Sequence, residues 1–168
     1  MALANIIGID PESVSDGPGV RFTIYFSGCW HYCHGCHNPD AQNFSAGKEF
    51  DVHMQEKVIQ HIAHCPILTG ITLSGGDPMF SAGDVLLFVR RLRAKLPAIN
   101  IWLYTGFTYE EIGGVEQLQL LTLCDVLVDG RFEQNRLDLS SSFRGSTNQR
   151  IIDLAATRAA GHIFFWRG

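Results

Sequence analysis

Positive charge is scarce in this 168-residue chain: 13 Lys and Arg stand against 17 Asp and Glu, for a formal net charge of -4. That balance excludes a nucleic-acid backbone as the principal ligand, because such binding is built from many Lys and Arg contacts to phosphate. No segment approaches the roughly 18 uninterrupted apolar residues of a membrane-spanning helix. The first residues, MALANIIGIDPESV, lack the charged start and long apolar run of a secretory signal. A cytoplasmic protein is expected, with no membrane partner. Internal repeats, low-complexity tracts and linkers are also missing, so one domain over residues 1–168 is expected. Charged residues make up only 18% and hydrophobic ones 46%, a composition that can bury a core.

Cysteine is present but does not suit a disulfide framework. There are five, an odd count, and three fall between positions 29 and 36. In a reducing compartment, thiols crowded in this way point to metal. Cys65 and Cys124 stand apart among apolar residues and are expected to be buried.

Short runs rich in β-branched and aromatic residues predict strands at Asn5–Ile9, Arg21–Phe26, Gly70–Ser74, Asn100–Tyr104, Asp125–Val128 and Arg150–Leu154. Helical spacing of apolar residues predicts helices over Val52–His64 and Val85–Leu96, the latter opened by Ser81 and Asp84 as a capping box. Thr108 with Glu111 signals another helical start, interrupted by Gly113–Gly114 before Val115–Leu123. Strands that alternate with helices argue for an α/β fold with a mostly parallel sheet covered by helices. The chain is too short for a full eight-unit barrel of about 250 residues, so a partial (β/α) barrel or an open curved sheet is expected. Functional residues should then lie in loops at the C-terminal ends of the strands.

Directly after the strand RFTIYF comes Cys29-Trp30-His31-Tyr32-Cys33-His34-Gly35-Cys36-His37, a C-x3-C-x2-C loop. Three thiolates can hold three irons of a cubane and leave the fourth open to a small ligand. The competing account is a zinc site, since His31, His34 and His37 are interleaved and Cys3His is a tetrahedral ligand set. Among the histidines, His37 is the one placed to face bound substrate. A second loop, Ser74-Gly75-Gly76-Asp77-Pro78, follows the strand GITLS, where two glycines permit close backbone approach and the Asp77 carboxylate or a carbonyl offers an acceptor for an ammonium group. Taken alone it reads more readily as a plain turn.

The C-x3-C-x2-C loop resembles that of the radical S-adenosylmethionine superfamily. Asp16-Gly17-Pro18-Gly19-Val20-Arg21 is similar to the segment shared by activating enzymes of glycyl-radical enzymes, and His34-Gly35-Cys36 resembles the branch that serves anaerobic ribonucleotide reductase. Many other members of the superfamily carry an aromatic residue where Gly35 stands. Ser74–Asp77 resembles the Gly-Gly-Glu type motif that meets the methionine amino group, with Asp77 in place of the commoner Glu. Trp102-Leu103-Tyr104-Thr105-Gly106-Phe107 is similar to a family segment near the ligand, Asp129 matches the acidic residue at a strand end beside the cofactor, and Arg144-Gly145-Ser146-Thr147-Asn148-Gln149 resembles the branch's R-G-S-x-N-Q.

The resemblance implies a [4Fe–4S] cluster on Cys29, Cys33 and Cys36 as catalytic and metal-binding residues. It implies S-adenosyl-L-methionine as cosubstrate, contacted by Gly35, Cys36, His37, Gly75, Gly76, Asp77, Tyr104, Thr105 and Asp129. The implied activity is an oxidoreductase that makes a 5′-deoxyadenosyl radical and, with it, a glycyl radical on the large subunit of anaerobic ribonucleoside-triphosphate reductase, drawing electrons from reduced flavodoxin or a similar donor. Activation of another glycyl-radical enzyme, of the pyruvate formate-lyase type, is the alternative within enzymes, and a non-catalytic zinc-binding interaction module the alternative outside them. Arg131, Arg136, Arg144 and Arg150 crowd within twenty residues of an acidic chain and are suited to a carboxylate or an acidic partner, or to plain solvation.

Overall fold

The computed structural model describes residues 3–168. Seven strands form one open sheet: β1 (Asn5–Ser13), β2 (Val20–Phe26), β3 (Lys48–Glu49), β4 (Leu68–Gly75), β5 (Asn100–Tyr104), β6 (Val126–Asp129) and β7 (Arg150–Asp153). Their order across the sheet is β3-β1-β2-β4-β5-β6-β7. The central four, β2, β4, β5 and β6, run parallel, and antiparallel strands close both sides. Four helices accompany them: α1 (Val52–His64), α2 (Ala82–Lys95), α3 (Val115–Leu123) and α4 (Leu154–Ala160).

Alternation along each strand decides what the two faces do. Phe22, Ile24, Phe26, Ile71, Leu73, Ile101, Leu103, Leu127 and Ile152 point to one face and pack with α1, α2 and α3 through Val58, Ile62, Val85, Phe88, Val89, Leu92 and Leu120. The other face is mixed. Near β6 it is apolar, with Trp102, Val126 and Val128 packed on Phe143 and Trp166. Toward β2 it carries Arg21, Thr23 and Thr72, all buried. Arg21 donates to Thr72 Oγ1 at 2.7 Å and to the Ile71 carbonyl at 2.6 Å, and lies 5.4 Å from the Trp102 ring. Burial lowers its guanidinium to about 10, and these polar partners are what make a buried cation tolerable.

Several local expectations change. Ser81 precedes α2 but makes no capping bond, and the Asp84 carboxylate accepts the Ala4 N–H at 2.9 Å, which ties α2 to the start of β1. The Thr108–Glu111 capping box forms and opens a single turn of 3-10 helix over Tyr109–Glu111, and α3 starts after Gly114, at the expected interruption. Helix α4, at Leu154–Ala160, lay partly inside the expected last strand. Its N-cap is Asp153, which accepts the Ala156 N–H. Cys124 is buried as expected, whereas Cys65, at the C-cap of α1, is only half-buried. Among the described residues, no helix is long and apolar enough to cross a membrane.

Candidate active site

Because β2, β4, β5 and β6 are parallel neighbours, the loops leaving their C-terminal ends stand side by side. The loop after β2 holds the three cysteines, that after β4 holds Gly75–Asp77, that after β5 holds Thr105–Phe107, and β6 ends at Asp129. A cavity of about 390 Å³ lies against these loops on the mixed face of the sheet, within the range of small-molecule sites.

Cys29, Cys33 and Cys36 all line that cavity, together with His37, Gly75, Gly76, Tyr104 and Thr105. Eight of the eleven predicted site residues are thus brought onto one wall by loops up to 76 residues apart, and the three exceptions are specific. Gly35 sits exposed in a left-handed turn beside the cavity rather than on it. Asp77 is fully buried behind the wall. Asp129 is buried under Arg150, which donates to its Oδ1 at 3.0 Å and its Oδ2 at 2.5 Å, and it faces a separate cavity of about 320 Å³. Arg150 also bonds Glu110, and that contact holds the Glu110 carboxyl down at about 2.

The remaining lining includes groups that the motifs did not single out. Tyr25 lies on the wall and donates from its hydroxyl to Asp16 at 2.8 Å. Burial, then this bond, pushes the Tyr25 phenol well up. The segment from Leu137 to Gly145 supplies another side of the cavity, with Phe143 in a left-handed conformation and its carbonyl accepting the Tyr104 hydroxyl at 2.7 Å. Leu139, 89% exposed, forms the lip. Arg144 is the one member of the arginine cluster on this wall; Arg131 and Arg150 line the second cavity, and Arg136 is a surface residue 3.5 Å from Glu133. Asp16 and Arg144 lie inside motifs visible in the sequence. Tyr25 had no signal beyond its place on a strand.

The donor set suits a multi-iron cluster. Three thiols line one cavity, while Cys65 and Cys124 cap the far ends of α1 and α3 and take no part. Among the described residues, no three His, Cys, Asp or Glu side chains converge on a point where one ion would sit. A lone zinc needs its ligands at about 2.0–2.3 Å, and thiols spread around a cavity suit a group with several metals better. Burial pushes the Cys29 thiol up to about 11 and raises that of Cys33, so binding as thiolates must release their protons.

The chain matches the family model described as a 4Fe-4S single cluster domain over residues 15–152. It is 38% identical over 151 residues to the anaerobic ribonucleoside-triphosphate reductase-activating protein of Pasteurella multocida, covering 88% of this chain and 96% of that one. The protein of the same name from Escherichia coli is 39% identical over 144 residues, covering 84% and 93%. That from Vibrio cholerae is 42% identical over 144 residues, covering 84% and 92%.

Proposed function

The chain belongs to the family of anaerobic ribonucleoside-triphosphate reductase-activating proteins, within the wider 4Fe-4S single cluster family, and from this premise we propose that it cleaves S-adenosylmethionine reductively and installs a glycyl radical on that reductase. The observation that carries the reading is the placement of all three loop cysteines on the same cavity wall as the Gly75–Gly76 and Tyr104–Thr105 loops.

Cys29, Cys33 and Cys36 would hold a [4Fe–4S] cluster and leave one iron without a protein ligand. When bound, that group supplies one electron to break the S–C5′ bond of S-adenosylmethionine, giving methionine and the 5′-deoxyadenosyl radical that takes hydrogen from a glycine of the reductase.

The chain's own residues bind, orient and exclude water. Backbone at Gly75–Gly76 meets the methionine ammonium. Asp77 serves behind it, since its carboxylate is already taken up by protein donors. Tyr104 and Thr105 border the bound cosubstrate, Gly35 and His37 border the cluster loop, and Asp129 holds the β6 end through Arg150. The segment Leu137–Gly145, with exposed Leu139, borders another side of the cavity. The whole chain, 1–168, acts as one radical S-adenosylmethionine domain in the cytoplasm, with reduced flavodoxin or a similar donor. Five free cysteines accord with a reducing compartment.

The test is the electron paramagnetic resonance spectrum of anaerobically prepared, chemically reduced protein before and after S-adenosylmethionine is added. A reduced [4Fe–4S] signal that changes on addition is expected, as is a glycyl radical on the co-incubated reductase and none on pyruvate formate-lyase. Absence of any cluster signal would overturn the reading.

A further inference from the structure

Asp77 is the most heavily engaged carboxylate of the site, although it does not line the cavity. Oδ1 accepts the Met79 N–H at 2.9 Å. Oδ2 accepts the Thr105 hydroxyl at 2.8 Å, the Gly106 N–H at 2.9 Å and the Nε2–H of His31 at 2.8 Å. These donors come from three loops: its own after β4, the one after β5, and the cysteine loop after β2.

His31 stands midway between Cys29 and Cys33, and its side chain is 3% exposed. The ring fits a socket made by the other two loops, with Phe107 at 4.6 Å and Phe80 at 5.0 Å between centroids. Gly106 is the room for it: a Cβ there would lie 2.4 Å from His31 Cδ2. Tyr32 follows with φ 49°, a left-handed turn that leaves its own ring exposed just after His31 is buried. Backbone bonds anchor the loop at Gly28 and Cys29, and a Cys36-to-Cys33 turn closes its end. His31 is the buried side-chain anchor between those two points.

We infer that the His31–Asp77 hydrogen bond is a positioning clasp, setting the cysteine loop against the Gly75–Gly76 and Thr105 loops and so deciding how the cosubstrate lies relative to the cluster. The inference rests on the function proposed above. Asp77 lies behind the cavity wall, and His31, which borders the cavity, has its Nε2 committed to Asp77. Both act through the loops they join, and Asp77 suits the task because its short side chain ends within the protein instead of in the cavity.

The test uses the full chain, reconstituted anaerobically with iron and sulfide. His31→Phe keeps a ring between Phe80 and Phe107 but has no N–H, His31→Gln restores a donor, and Gly106→Ala pushes on the ring from the opposite side. Iron content, the reduced-cluster spectrum and the dissociation constant of S-adenosylmethionine, read from its spectral change, are measured for each. His31→Phe and Gly106→Ala should hold iron yet bind the cosubstrate about tenfold or more weakly, the order expected for a hydrogen bond to a charged group, and His31→Gln should recover most of that loss. A wild-type dissociation constant in His31→Phe would overturn the inference, as would a weakening that His31→Gln fails to rescue. If His31→Phe assembles no cluster, Gly106→Ala decides by the same dissociation constant. Failure of the wild-type spectrum to respond at all would instead strike the proposed function itself.

Discussion

Gly76→Ala is the sharpest test of how tightly the site loops are packed. A Cβ at this position would lie 2.5 Å from the Ala41 carbonyl oxygen and 2.7 Å from that of Gly28, and both obstacles are backbone. Relief requires the β4 loop to move away from the cysteine loop. That movement breaks the bonds from Gly76 N–H to the Phe26 carbonyl, 2.8 Å, and from Asp77 N–H to the Gly28 carbonyl, 2.9 Å. Two such bonds are worth about 0.5–1.5 kcal/mol each, and crowding a close-packed site costs about 1–3 kcal/mol. The expected loss is therefore about 2–6 kcal/mol, which for a domain of this size lowers the melting temperature by roughly 4–24 °C. Gly113→Ala is the control, because its Cβ would meet nothing within 4 Å. It should be neutral or gain up to about 1 kcal/mol from a stiffer unfolded chain. Thermal melts followed by circular dichroism decide the matter, paired with cosubstrate titration of the reconstituted proteins. A Gly76→Ala variant that melts within about 2 °C of wild type, or that responds normally to S-adenosylmethionine, would refute the packing reasoning.

Three further outcomes are expected. Arg21→Ala should cost about 2–5 kcal/mol in urea unfolding, because it leaves a void under Trp102 and strips the donor from buried acceptors, while Arg21→Met, which refills the space, should cost clearly less; equal losses would show that the void is irrelevant and that the lost hydrogen bonds carry the whole cost. In native protein at pH 8, Cys124, buried and with its thiol pushed up to about 12 by that burial, should resist alkylation until unfolding, whereas half-buried Cys65 should react, a contrast read by mass spectrometry of labelled peptides. The Glu110 carboxyl is held at about 2 against an ordinary 4.5 by Arg150, so its contribution is present above pH 4.5 and lost as the pH falls toward 2. The pair is largely exposed, so Glu110→Gln should cost less than about 1 kcal/mol at neutral pH and should flatten the acid limb of the stability curve, and an unchanged limb would count against the pairing.

Much of the fold was legible because strand chemistry is local. RFTIYF, GITLS, NIWLY and DVLV all became central strands, since β-branched and aromatic side chains alternate between a helix-covered face and the mixed face. Expectations failed where a local group found a distant partner. Asp84 reads as half of a capping box until the Ala4 N–H, eighty residues away, takes its carboxylate. Helix α4 was missed because it is a single short run, LAATRAA, whose first residue, Leu154, also ends the strand-like RIIDL; Arg150–Asp153 does form β7, and the boundary is set by the Asp153 cap and by the β7 pairing with β6. In the site, Asp77 and Asp129 share the motif positions of cavity residues, yet each is drawn behind the wall by donors that no motif reveals.

By itself, the sequence determined the α/β class, the loop that carries Cys29, Cys33 and Cys36, and the glycines that let a second loop approach it, since periodicity, thiol spacing and the lack of a Cβ act over a few residues. Only the tertiary structure decided which loops meet. The parallel order β2-β4-β5-β6 sets their C-terminal ends side by side, and the His31 ring reaches Asp77 across 46 positions of chain. Such contacts depend on how strands pair and helices stack across the whole domain, and no short stretch of residues carries that information.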